Sequence, residues 1–161
     1  MRFFCVVLIL ACCLNFCSCL RVNKSCAEIL EEIMSDTEQL PTGKIYSSHC
    51  EMGSDGYFPE AMRKAMYGED SDRWLSLTEE YTLFVSSSGI PSEIAVFKCY
   101  SATDARSLEF MCLNRAELLR TALRGTGFSE LCYKIYVARE GRAVLFIMAE
   151  NYRGNAKRAV R

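Results

Sequence analysis

The apolar positions of this chain follow a helical period in some segments and a strand period in others. The first helical segment begins after Ser25, which forms a capping box with Glu28, and ends before Pro41. Acidic residues cover much of one side of this segment. On the other side, mainly apolar residues recur every three or four positions, as in an amphipathic helix. The positions of that side are Ile29, Leu30, Ile33, Met34 and Thr37.

Three segments separate this helix from the first strand. Residues 42–57 are rich in glycine and serine and show no period, which predicts a loop. Pro59 suits the first turn of a short helix that ends at Gly68. Residues 69–73 are polar and predict a turn.

Four segments show strand patterns: residues 81–86, 92–100, 132–139 and 142–149. The first and third alternate apolar and polar positions, as half-buried strands do. The second and fourth are apolar at successive positions, which indicates strands covered on both faces. Glu140-Gly141 is the predicted hairpin turn between the last two strands.

The longest helix lies between the second and third strands. Ser101 and Asp104 form its predicted cap, and Gly125 marks its end. Residues 151–161 predict a last short, basic helix. The predicted buried stripe of the long helix is Leu108, Met111, Cys112, Leu119 and Ala122.

The two strands that are apolar on both faces belong at the centre of a sheet. The long crossover helix lets the third strand start from the far end, so that all neighbouring strands run antiparallel. The sequence therefore predicts an α+β fold, with a four-stranded antiparallel sheet in the order 1-2-4-3 and helices packed against it.

The N-terminus has the pattern of an export signal. Met1-Arg2 is positively charged, and the apolar run Phe3 to Phe16 spans only about 21 Å as a helix, against roughly 30 Å for a bilayer core. Ser18-Cys19 follows this run and resembles the lipobox of bacterial lipoproteins. We therefore predict a lipoprotein-type signal peptide over residues 1–18, lipidation of Cys19 by acyl chains such as palmitate, a tether over 19–25 and a single domain over 26–161.

Two other interpretations of the N-terminus stay open: a plain secretory signal peptide and an uncleaved anchor. Cys12 also follows a small residue, but it would leave too short an apolar run before it. Lipidation places the protein on the extracellular face of the cell membrane, and plain cleavage makes it a secreted protein.

Composition excludes some classes of function. The 161 residues suit one domain, and the net charge of −1 argues against nucleic-acid binding, which needs a basic surface. No P-loop or dinucleotide-binding motif is present, so no cofactor is predicted. Five of the ten cysteines lie in the domain, an odd number that cannot all pair within the chain, and their wide spacing predicts no metal site. They are Cys26, Cys50, Cys99, Cys112 and Cys132.

Residues 81–98, read as Tyr-Thr-Leu-Phe-Val-Ser-Ser-Ser-Gly-Ile-Pro-Ser-Glu-Ile-Ala-Val-Phe-Lys, resemble the centre of a lipoprotein family from Gram-positive, largely anaerobic bacteria. This is the family of uncharacterised lipoproteins known as domain of unknown function 4358. The early helix, Tyr67-Gly68, the Glu93 to Phe97 strand, the long helix and the late hairpin follow in the family's order. The resemblance covers about residues 26–160, and the cysteine content departs from it. It implies localisation and fold but no catalytic role.

Two pairs of residues are candidates for chemistry. His49-Cys50 joins the only histidine to a loop cysteine, which makes Cys50 the possible reactive thiol, although adjacent side chains rarely face each other. Glu93 opens a buried strand and needs a basic partner, for which Arg115 in the long helix is the candidate in a structural ion pair. No catalytic set is predicted.

The leading hypothesis is therefore a lipid-anchored cell-surface protein whose non-catalytic domain binds an envelope protein or another ligand. The alternative is a small extracellular thiol-dependent enzyme, either a hydrolase or a thiol–disulfide protein. A fast-reacting thiol of low pKa would favour the enzyme, and buried, inert cysteines would favour the binding domain.

Overall fold

The computed structural model describes residues 24–152 and residue 154. The α-helices are α1 (Cys26–Ser35), α2 (Glu60–Tyr67), α3 (Ser71–Leu75) and α4 (Ala102–Leu123). The strands are β1 (Gly43–Ser47), β2 (Thr78–Ser86), β3 (Glu93–Cys99), β4 (Ile135–Glu140) and β5 (Ala143–Met148), with a 3-10 helix (Ser129–Lys134) before β4. The predicted signal peptide, the predicted lipidation site and most of the predicted last helix lie outside the described residues. None of the described helices has the length and apolar character needed to cross a membrane.

The strands form one antiparallel sheet in the order β1-β2-β3-β5-β4. The prediction of an α+β fold with an antiparallel sheet is confirmed. The four strands expected from the sequence are β2, β3, β4 and β5, and they neighbour one another in the expected order. The prediction of a four-stranded sheet is wrong, because β1 adds a fifth strand beside β2.

The strand β1 lies in residues that the sequence predicted to be loop. It is an edge strand with little buried surface, so it has no apolar face from which a period of two could be recognised. Gly43 shows how closely it approaches β2: a Cβ atom there would lie 2.3 Å from the Phe84 ring and 2.6 Å from the Val85 carbonyl oxygen. This strand therefore forms because it pairs with β2, and the pattern of its own residues does not predict it.

Helices cover both faces of the sheet, which explains why β3 and β5 are apolar at successive positions. Ile94 and Val96 of β3 pack beneath α1. Ala95, Phe97 and Cys99 point to the opposite face, where α2, α3 and α4 cover the larger part of the core. Neighbouring positions of a central strand thus face two separate apolar clusters.

Most helix boundaries follow the predicted signals, but α1 ends at Ser35 and not just before Pro41, and Thr37 lies beyond its end. Ser25 and Glu28 form the capping box of α1, the Ser101 side chain accepts from the Asp104 amide at the start of α4, and α2 lies between Pro59 and Gly68. Residues 69–73, predicted as a turn, include the start of α3, a five-residue helix too short to show a period.

Three finer predictions are wrong. Ala122 is exposed on α4, and Ala105 and Ala116 complete the buried stripe in its place. The hairpin turn is Gly141-Arg142, since Glu140 already pairs with Ala143. The third predicted strand begins at residue 135, because Cys132 to Lys134 belong to the 3-10 helix.

Candidate functional site

The most buried charged group of the described core is the Glu93 carboxylate. Glu93 is the first residue of β3, and its side chain is only 2% exposed on the α4 side of the sheet. Arg115 of α4 donates to Glu93 Oε2 from Nη2 at 2.8 Å and from Nε at 3.1 Å. The two residues named as an ion pair from the sequence are therefore in contact, 22 positions apart in the chain.

Tyr67 of α2 and Cys112 of α4 complete this site, which we call the Glu93 cluster. The Tyr67 hydroxyl and Glu93 Oε1 are buried, and neither forms a hydrogen bond of good geometry with the described residues, although the hydroxyl is close enough to the Glu93 carboxylate for a weak hydrogen-bonding interaction. Burial first, and then the Glu93 charge, raises the pKa of Tyr67 well above its usual value. The same two causes raise the pKa of Cys112.

The Glu93 cluster joins three elements that are distant in the sequence. Tyr67 packs edge-on against Phe58 and Phe97, which holds its hydroxyl near the start of β3. Arg115, with 16% of its side chain exposed, is the most solvent-accessible member. A buried ion pair of this kind connects β3 to α4, and Tyr67 adds α2 to the same cluster.

The described cysteines are all free thiols. Cys26, Cys99 and Cys112 are fully buried. Burial raises the pKa of Cys99 to about 12 and raises that of Cys26 further. Since the thiolate is the nucleophile, these three cysteines are poor candidates for thiol chemistry.

His49 and Cys50 lie in the loop after β1, and this histidine contacts a carboxylate. His49 is 73% exposed, with Nε2 at 3.5 Å from Glu80 Oε1. Cys50 is partly exposed, and its Sγ lies 3.0 Å from the position that a Cβ would take at Gly56, whose φ is 90°. Glu80 lies 31 positions from His49 in the sequence, so only the fold brings the two side chains together.

Glu80 has a structural role that the sequence did not indicate, because it holds the start of α1. Its Oε1 accepts from the Cys26 backbone amide at 3.1 Å, and its own carbonyl accepts from the Cys26 thiol at 3.5 Å. A carboxylate beside the first residue of α1 also interacts favourably with the positive end of the helix dipole. Glu79 and Glu80 are two adjacent acidic residues just before the predicted strand, and no signal in the sequence distinguishes the one that contacts α1.

The outer face of α4 is an exposed surface with three large apolar side chains. Phe110 is 59% exposed, Leu113 46% and Leu118 60%. Leu118 borders a shallow groove that also includes Asn114, Glu117, Thr121 and Ala122. Phe110, Leu113 and Leu118 lay outside the predicted stripe of α4. Ala105, Ala116 and Leu123 did too, and these three are buried, so the stripe alone could not identify the exposed residues.

Within residues 24–152, no group of three or more His, Cys, Asp or Glu side chains is arranged to hold a metal ion. Comparison of the chain with models of known protein families, with curated proteins and with solved structures found no match.

Proposed function

We propose that this chain is an exported, lipid-anchored cell-surface protein whose domain binds an envelope protein through the outer face of α4. The observation that carries the proposal is the exposure of Phe110, Leu113 and Leu118 along one helix. Apolar side chains that lie together on a surface are typical of interaction sites, whereas isolated ones are ordinary.

The spacing of these residues supports a continuous surface. Phe110 and Leu113 are three positions apart, so they are neighbours on the helix, and Asn114 and Glu117 continue the face toward Leu118. Glu117 pairs with Arg120 at 2.6 Å and adds a polar contact within this face. Protein–protein interfaces commonly combine apolar side chains with polar contacts.

Anchoring rests on the sequence. The apolar run followed by Ser18-Cys19 predicts the lipidation, and α1 begins at Cys26, only seven positions later. The mass of the protein extracted from membranes tests this part: residues 1–18 should be missing, and Cys19 should carry acyl mass. A Cys19→Ser variant is the control, and an unmodified or full-length native protein would refute the anchor.

Binding is tested with the anchored protein as bait in cross-linking and pull-down from intact cells. A Phe110→Ser/Leu118→Ser variant should lose the partner that the native protein retains. Tyr133→Ser is the matched control, because Tyr133 is 88% exposed and lies outside α4. Equal recovery with both variants would exclude the outer face of α4 as the binding surface.

A further inference from the structure

The lipid anchor and the fold together determine which end of the domain meets the membrane. We propose that the end of the sheet where α1 starts, marked by Tyr100 and Arg142, rests on the lipid headgroups. This inference rests on the proposed lipidation of Cys19 and adds an orientation and a contact surface to it.

The connection between Cys19 and the domain is short. Five Cα–Cα steps separate Cys19 from Lys24, the first described residue, so the two lie at most about 19 Å apart. Lys24 is itself held by an ion pair with Glu32 at 2.5 Å. The start of the domain therefore stays within a short distance of the acyl chains.

The helix α1 starts at the end of the sheet where Tyr100 lies. The Cys26 amide is bound by Glu80, and Glu80 pairs with Lys98 near the end of β3. Tyr100 lies two residues beyond Lys98, and its amide donates to the Leu77 carbonyl just before β2. The chain consequently enters the domain at the same end of the sheet at which Tyr100 lies.

This end of the sheet has an exposed aromatic ring beside a cation. Tyr100 is 62% exposed, and Arg142 of the β4–β5 turn contacts the Tyr100 carbonyl at 3.4 Å. Tyrosine is favoured at the headgroup level of a bilayer, and a cation beside it attracts anionic lipids. Glu79 pairs with Arg142 at 3.1 Å and offsets part of that charge, so the tyrosine ring and the short tether provide most of the preference.

This orientation also places the proposed binding surface away from the bilayer. The helix α4 begins at Ala102, next to Tyr100, and runs for 22 residues, or about 33 Å. Leu118 lies sixteen residues along it, about 24 Å from its start. A partner could then reach the outer face of α4 from the side opposite the membrane.

The chain has one tryptophan, Trp74 of α3. Trp74 lies near this end, because the carbonyl of Leu77, three residues later, accepts a hydrogen bond from the Tyr100 amide. We would bind the acylated protein to phosphatidylcholine–phosphatidylglycerol vesicles that contain a dansyl-labelled headgroup, and measure energy transfer from the tryptophan. The matched variant is Trp74→Phe with Ile90→Trp, since Ile90 is exposed in the loop at the opposite end of β2 and β3. The six residue steps of β3 separate the two ends by about 20 Å.

Stronger transfer from Trp74 than from the Ile90→Trp variant is the expected result. Tyr100→Ser with Arg142→Ser should reduce that difference, and Tyr133→Ser should leave it unchanged. Equal or weaker transfer from Trp74 in the acylated protein would overturn the orientation and leave the anchor intact. Native protein without an acyl chain on Cys19 would overturn both proposals.

Discussion

Arg115 donates two hydrogen bonds to the same oxygen of Glu93, which leaves the second carboxylate oxygen buried and without a hydrogen bond of good geometry to the described residues. The two side chains also differ in how deeply they are buried. Glu93 is 2% exposed and depends on Arg115 for its compensating charge, whereas Arg115 is 16% exposed.

This asymmetry predicts unequal effects of two substitutions on stability. Arg115→Ala should lower the free energy of unfolding by about 3–5 kcal/mol, because it leaves a buried carboxylate unpaired. Glu93→Ala should cost less, since the guanidinium is partly accessible to water. The double variant should be less destabilised than the sum of the single variants, as measured by urea unfolding. Simple additivity would mean that the two groups contribute independently.

Tyr67 offers a test of the buried hydroxyl. Tyr67→Phe should change the free energy of unfolding by less than about 1 kcal/mol, because it removes a polar atom that has no hydrogen bond of good geometry with the described residues and retains the ring. Tyr67→Ala should cost about 3–5 kcal/mol, since the ring contacts with Phe58 and Phe97 are lost. A large loss from Tyr67→Phe would show that the hydroxyl is hydrogen-bonded in solution.

Thiol labelling distinguishes the binding-domain hypothesis from the thiol-enzyme alternative. In the native protein, Cys50 should react faster than Cys112, because Cys50 is partly exposed and burial raises the pKa of Cys112. Labelled sites would be identified by peptide mass spectrometry at several times. If Cys112 were labelled first, the enzyme hypothesis would have to be reconsidered around that residue.

Cys112 should contribute to packing alone. Cys112→Ala should cost on the order of 1 kcal/mol of unfolding free energy, for the small volume that is removed from the core. Recovery of the binding partner should not change, which pull-down with this variant would measure. Loss of the partner without loss of stability would contradict a purely structural role.

Stability should also fall at alkaline pH. Burial raises the pKa of Cys99 from 9.0 to about 12, so between these values the unfolded chain releases a proton that the folded chain retains. The free energy of unfolding should therefore decrease as pH rises from about 9, by up to about 1.4 kcal/mol per pH unit for one thiol. Cys26, Cys112 and Tyr67 act in the same direction.

Urea unfolding at a series of pH values measures this slope, and Cys99→Ala provides the comparison. The variant should show a shallower decrease above pH 9.0, where one shifted group has been removed. A slope identical to that of the native protein would exclude Cys99 as a contributor.

The sequence by itself determined the local elements with strong signals. The Ser25–Glu28 capping box, the start of α4 at Ser101 and the continuous apolar runs of β3 and β5 each depend on nearby residues, so they could be recognised from one short segment. The doubly apolar strands also indicated the neighbouring, antiparallel arrangement of β3 and β5, which the register confirms.

Only the tertiary structure decided the features that depend on distant partners. β1 becomes a strand because β2 offers it backbone hydrogen bonds, and α3 is too short to have a period. Tyr67 and Glu80 acquire their roles from Glu93 and Cys26, residues 26 and 54 positions away in the sequence. The exposed side of α4 likewise depends on where the sheet lies, because helical period alone does not say which apolar residues of a long helix remain uncovered.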